Sequence, residues 1–346
     1  MKIREKKFKI LSIDGGGLRG IIPLQVVKKI EELTGKPIHK SFDLIAGTST
    51  GGLLACALTI QDFNSIEADV RKFSLEQIEE LYIQKGQEIF PTIHCFVKPF
   101  KRIKNLFRPE FDVKNLEKIL DEYFGDNRLT NCLRHIFIAS YNIHRDQPMF
   151  FTTRDASTIP NKNSKIVEIC RATSAAPTYF ETHKFDYNSE NVVCIDGGLV
   201  MNNPTIGALV EVLGNNEYKH YKINGKSLSL GDISILSLGT GRSNKSINST
   251  TSKKWGKFKW IKPIIEISTT GVSKITNQQT DTIFRSANLE RNYLRLDIVI
   301  DEEYAEMSDS REITSNYLLN QVQSQFTNND TLQYKLKCFL EDSGII

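Results

Sequence analysis

Three stretches carry residues that could do chemistry, each where a strand-like run stops. The first is "GTSTG", Gly47–Gly51. Ser49 stands at its centre, with Gly47 and Thr48 before it and Thr50 and Gly51 after it. This G-x-S-x-G pattern between a strand and a helix points a Ser hydroxyl outward from a tight turn, and its glycines remove side chains that would block the turn. The helix N-terminus beyond offers unpaired N–H groups and a positive dipole end to developing negative charge. The second stretch is "CIDGGLVMNNP", Cys194–Pro204. Asp196 ends an apolar run there and is followed by Gly197 and Gly198. A carboxylate at a strand end can face the edge where ligand sites of open α/β sheets lie, although Asp-Gly is also a common turn. The third is "ILSIDGGGLRG", Ile10–Gly20. Gly15, Gly17 and Gly20 spell G-x-G-x-x-G after a strand, a loop whose N–H groups can hold an anion. Arg19 within it can bind a phosphate or carboxylate, or hold the loop by donating to backbone carbonyls.

A nucleophilic Ser needs a base, and His is the usual one. The six His stand at 39, 94, 135, 144, 183 and 220. In the α/β-hydrolase order the His comes last, after the acid. Here none follows His220, and "EYKHYKING" around it reads as an exposed loop. A triad is therefore not expected. A dinucleotide-binding reading of the glycines needs an acid ending the second strand, about 20 residues on. Asp43 is near that distance but begins its strand, and Asp14 would face the pyrophosphate.

The elements that must position these residues follow from the pattern of apolar runs. "FKILSID", "FDLIAG", "HIFIASYN", "VVCIDGG" and "ISILSLGTG" read as short buried strands ending in turn residues. "PLQVVKKIEELTG", with its Gly stop at Gly35, "STGGLLACALTI" and "IVEICRATSAAP" read as helices. The β-α-β-α opening predicts a mostly parallel sheet covered on both faces. Residues 61–131 are more polar and helical, which predicts a helical insertion, a candidate lid. "SNYLLNQVQSQF" and "YKLKCFL" predict C-terminal helices over 315–346. Nothing marks a linker or a repeat, so 1–346 reads as one domain.

Composition bounds the rest. The 346 residues are 40% apolar and 25% charged, enough for a real core. A net charge of +4 is too small to argue for nucleic acid, which is not expected as a partner. Six scattered Cys with no C-x-x-C pair suggest reduced thiols and a cytoplasmic home. No cluster has metal-ligand spacing, and neither a metal nor another cofactor is expected. The longest apolar run, "LLACALTI", is far short of the ~20 residues of a spanning helix.

The three motifs in this order resemble the patatin-like phospholipase family. "RATSAAPTYF" (Arg171–Phe180), "LSLGTG" (Leu236–Gly241) and "NYLRLD" (Asn292–Asp297) add to the resemblance, which runs from Phe8 to the 320s. The resemblance implies a three-layer α/β/α fold and a lipid acyl hydrolase of phospholipase A type. It implies Ser49 as nucleophile, Asp196 as base without a His, and an oxyanion loop of Gly15, Gly16 and Gly17 with Arg19 and Gly20 alongside. In size and motif spacing the chain is similar to the effector phospholipases of bacterial anti-phage defence, which implies a cyclic dinucleotide as a candidate activator. A dinucleotide binder and an inactive lipid-binding module are the alternatives. An ordinary Asp is a weaker base than His by about 2.6 pKa units, roughly 3.5 kcal/mol of driving force. Burial can raise the Asp pKa, and an N–H aimed at an oxyanion supplies ~3 kcal/mol.

Two basic and aromatic segments could meet a phospholipid surface. "KPFKRIKNLFR" (Lys98–Arg108) and "KKWGKFKWIK" (Lys253–Lys262) each hold five Lys or Arg and no acid. Each basic residue near an anionic surface adds ~1 kcal/mol. Each segment reads equally as a solvated face whose aromatics turn into the core. The corresponding expectation is a cytoplasmic protein that associates peripherally with the inner face of the membrane.

Overall fold

Alternating apolar residues build strands that are covered on both sides. The computed structural model of the chain describes residues 6–91, 108–214, 220–243, 247 and 249–346. Its main strands are β1 (Phe8–Ile13), β2 (Leu44–Thr48), β3 (His135–Asn142), β4 (Gln147–Thr152), β5 (His183–Tyr187), β6 (Glu190–Asp196), β7 (Ile233–Leu238) and β8 (Tyr293–Leu296). They form one sheet in the order β8-β7-β1-β2-β3-β6-β5, with β4 also pairing β3. The pairs β8–β7, β7–β1, β1–β2 and β2–β3 are parallel. The pairs involving β4, β5 and β6 are antiparallel. The mostly parallel three-layer architecture stands, with an antiparallel end that the β-α-β reading did not contain.

The period-2 alternation of the strands assigns the two faces. Leu11, Ile13, Ile45, Ile136 and Ile138 face one core, shared with α1 (Ile21–Thr34), α2 (Thr50–Ala57), α3 (Leu75–Ile83), α4 (Val113–Phe124) and α5 (Ile166–Thr173). Phe8, Ile10, Leu44, Ala46 and Phe137 face the other, against α6 (Thr205–Leu213) and the end of α7 (Lys257–Ser286). The helix α1 ends at Gly35, whose N–H bonds the Glu31 carbonyl, as its Gly stop predicted. The C-terminal helices are α8 (Glu312–Val322) and α9 (Asp330–Asp342), which bury Leu318, Val322, Leu336 and Phe339 in the first core.

Sequence periodicity missed β4, β5, β8 and the 30-residue helix α7. Pro148 breaks the strand pattern of "QPMFFT", and among the described residues β4 pairs only with β3, the edge setting in which a strand tolerates proline. The helix α7 turns Thr276 and Thr280 into the protein and leaves isoleucines outside, so no apolar stripe points to a core.

Candidate active site

The register of β3 brings the two motifs together. Along one edge of β3, parallel β2 pairs as far as Thr48 opposite Ala139. The next residue, Ser140, pairs with Asp196 of β6, which runs the opposite way. Thus β2 and β6 meet end to end along one edge of β3, and the Ser turn and the Asp leave the sheet at the same point. A Cβ on Gly197 would strike the carbonyl of Ala139, so the close approach there needs glycine.

Ser49 has φ 53° and ψ −124°, a left-handed conformation uncommon outside glycine and typical of a strained strand-to-helix turn. Several bonds hold it. Its N–H donates to Thr173 Oγ1 at 2.8 Å, and that hydroxyl donates to the Ala139 carbonyl at 2.6 Å. The neighbouring Thr48 hydroxyl donates to the Met201 carbonyl at 2.7 Å. Asp196 N–H donates to the Ala175 carbonyl at 3.0 Å. The segment "RATSAAP" therefore fixes the backbones of both Ser49 and Asp196.

The Asp196 carboxylate accepts a hydrogen bond from Gly198 N–H at 2.7 Å, and the Ser49 side chain on the same cavity wall also favours its ionised form. Burial pushes its pKa up to about 6, against the opposing pull of those two groups. That value lies within about half a unit of an ordinary His, which closes most of the gap between the two bases. Among the described residues no cation is one of the groups that act on it. Asp14, at the end of β1, is buried too but is held by Arg295 through two bonds of 2.7 Å, and by the Ser273 hydroxyl at 3.0 Å.

The glycine loop has two donors to offer. Gly15 N–H donates to the Asn202 carbonyl at 3.0 Å, and Arg19 N–H donates to the Gly16 carbonyl at 3.2 Å. Gly16 and Gly17 N–H groups make no hydrogen bond among the described residues, and both residues line the cavity that holds Ser49 and Asp196. Gly17 has φ 58°, where a side chain would also strike the Met307 carbonyl. Gly20 packs against Tyr82 and Thr50 and supports the loop from behind. Arg19 Nε lies 3.4 Å from the Gly16 carbonyl, which agrees with the loop-holding role.

That cavity has an empty volume of about 900 Å³, part of it open to solvent. Ser49, Asp196 and the glycines form one wall. Leu53, Leu81, Ile89, Phe90, Leu116 and Phe180 make an apolar continuation. Four of these, Leu81, Ile89, Phe90 and Leu116, come from the 61–131 stretch, and Ile265 and Thr269 come from α7. Tyr82 of α3 anchors the stretch by accepting a bond from Thr50 Oγ1 at 3.0 Å.

None of the described His residues lines this cavity. His220 packs against His135, with ring centroids 5.5 Å apart, at the amino end of β3. The dinucleotide reading loses its acid, because Asp43 is bonded to Lys9 at the amino ends of β1 and β2, away from the glycines. His94 and all of Lys98–Arg108 except Arg108 lie outside the described residues. Sequence reasoning missed Thr173, Tyr82, Asn202 and Ser273. The first and third sit inside quoted motifs, whereas Tyr82 and Ser273 carry no local signal.

The family model for patatin-like phospholipase matches residues 11–209, the span that holds the glycine loop, Ser49 and Asp196. Patatin-like protein 3 of Arabidopsis thaliana is 33% identical over 83% of this chain and 73% of its own length. Patatin-like protein 2 of the same plant is 31% identical over 83% and 74%. A Solanum tuberosum protein named "Probable inactive patatin-3-Kuras 1" is 28% identical over 95% and 91%.

Proposed function

This chain belongs to the patatin-like phospholipase family, and on that premise we propose that it is an active lipid acyl hydrolase using Ser49 and Asp196. The supporting observation is that Ser49 and the buried Asp196 share one wall of a largely apolar cavity, with no cation among the described groups acting on the carboxylate. Ser49 Oγ attacks the ester carbonyl of a glycerophospholipid and its proton passes to Asp196. Gly16 and Gly17 N–H groups stabilise the oxyanion. The tetrahedral species collapses, the lysophospholipid alcohol leaves with the proton from Asp196, and the acyl group remains on Ser49. Water, deprotonated by Asp196, then releases the fatty acid and restores the Ser. The apolar continuation beyond Leu53 holds the acyl chain, with the 61–131 stretch as its cover.

Fatty acid release from phospholipid vesicles, together with labelling of Ser49 by a fluorophosphonate, tests the reading. Both are expected in the native chain and neither in Ser49→Ala. A labelled enzyme that releases no fatty acid would remove the lipid substrate, and an unlabelled, inactive one would leave a lipid-binding module. The proposal includes the cyclic dinucleotide activator that the resemblance implies. Release is then expected to rise when a cyclic dinucleotide is added, and an unchanged rate across a panel removes that part alone. Among the described residues no helix is long and apolar enough to cross a membrane, which fits approach to the lipid from one side.

A further inference from the structure

The helix α7 is amphipathic in the unusual direction. A surface helix ordinarily turns its apolar stripe to the core and its polar face to water. Here the hydroxyls face the protein. Ser268 donates to the Leu199 carbonyl at 2.8 Å, Ser273 donates to Asp14 at 3.0 Å, and Thr276 and Thr280 are buried. Large apolar side chains face out: Phe258 is 72% exposed, Ile264 56%, Ile267 52% and Ile275 55%, with Ile261 also exposed. Phe258, Ile261, Ile264 and Ile267 follow one another at i, i+3 spacing, so each touches the next and the apolar strip winds about the helix over successive turns. An exposed strip of this kind marks a surface that meets something apolar.

Charge and position say what that is. Lys253, Lys254 and Lys257 are exposed at the start of the strip and have no carboxylate partner among the described residues. Lys259 lies 5.8 Å from the centre of the Trp255 ring, and Trp255 packs edge-on against Trp260 at 5.1 Å. Lysines beside aromatic rings at the end of an apolar face match an anionic headgroup layer over acyl chains. The same helix supplies Ile265 and Thr269 to the wall of the Ser49 cavity. A second protein chain would need no such basic collar.

We infer that the outward face of α7 up to Ile275, together with the segment from Lys253 that leads into it, is the surface by which this protein lies on an anionic phospholipid bilayer, with the mouth of the Ser49 cavity facing the lipid. The inference rests on the acyl-hydrolase reading for its purpose, but the surface itself is argued from α7 and that leading segment. Insertion of the isoleucines supplies apolar burial, and the lysines supply attraction that salt weakens.

Two pairs of substitutions on exposed positions outside the cavity wall test it: Ile261→Glu with Ile264→Glu, and Lys254→Glu with Lys257→Glu. The native chain is expected to cosediment with vesicles of phosphatidylcholine and phosphatidylglycerol more strongly than with phosphatidylcholine alone. Each pair is expected to lower that binding about tenfold or more, and to lower vesicle lipid hydrolysis in step. Hydrolysis of a water-soluble short-chain ester should stay unchanged, which also shows that the variants are folded. Should one pair fail to fold, the other decides alone. Equal binding of the native chain to both kinds of vesicle overturns the inference, as does binding that survives both pairs. Sedimentation velocity covers the remaining occupant: a dimer that the Ile pair splits, with vesicle binding intact, gives the face to a second copy and overturns the inference. A native chain inactive on both esters counts against the hydrolase reading and leaves the vesicle-binding result to stand by itself.

Discussion

Asp14 and Asp196 stand at the ends of β1 and β6, each followed by glycine, each buried, and each pushed upward in pKa by that burial. They differ in what opposes it. Asp14 meets Arg295 on both oxygens, and Arg295 is in turn raised above its ordinary value by Asp14, against its own burial. Asp196 is acted on by the Ser49 side chain and one N–H. On Asp14 the guanidinium works against the proton that burial favours. A buried carboxylate whose charge is met by weak donors alone is poised to take one. The comparison teaches that position at a strand end and proximity to glycine do not make a base. On the proposed reading the difference is the cation, which Asp14 has in Arg295 and Asp196 lacks among the described groups that act on it.

The comparison can be broken in order of expected effect. Ser49→Ala and Asp196→Asn are each expected to lower kcat on the order of 10⁴-fold or more, read as fatty acid release. An Asp196→Asn protein of near-native activity would end the comparison. Next, Arg295→Met turns Asp14 into an unpaired buried carboxylate. A loss of about 3–5 kcal/mol at neutral pH is expected, measured by denaturant midpoint and shrinking at low pH as Asp14 takes a proton. The third effect has the opposite sign. Asp196 has a folded pKa of about 6, above its unfolded value, so the folded state binds more protons in between. Its ionisation therefore costs stability as pH rises from about 4 to about 6, roughly 3 kcal/mol in all. Asp196→Asn is expected to be more stable than the native protein by that amount at pH near 8 and nearly equal below about 4, by thermal or denaturant unfolding. The same ionisation makes kcat/KM on a soluble ester rise through a pH of about 6. The smallest expected effect is none: His220→Ala, at the other end of the sheet, should leave ester hydrolysis unchanged.

Much of the site was legible because its parts are local. The strand β3 was readable residue for residue, the Ser turn from its glycines, and the Asp from its strand end. Thr173 and Asn202 lay inside quoted motifs but had no legible role, since a hydroxyl or amide shows nothing until its partner is placed. The helix α7 was hidden for a physical reason: periodicity reveals apolar faces that cover a core, and its apolar face covers none.

The amino-acid sequence by itself determined the turns, the strand ends and the residue types that a hydrolase needs, because those are set by neighbours a few positions away. Tertiary structure alone decided which ends meet. Antiparallel β6 takes over the edge of β3 one residue after β2 leaves it, and only that register sets Asp196 beside Ser49. Tertiary structure also left Asp196 without the cation that Asp14 receives from β8. Burial and charge pairing belong to the assembled sheet, and they, more than the identity of the residue, separate a base from a brace.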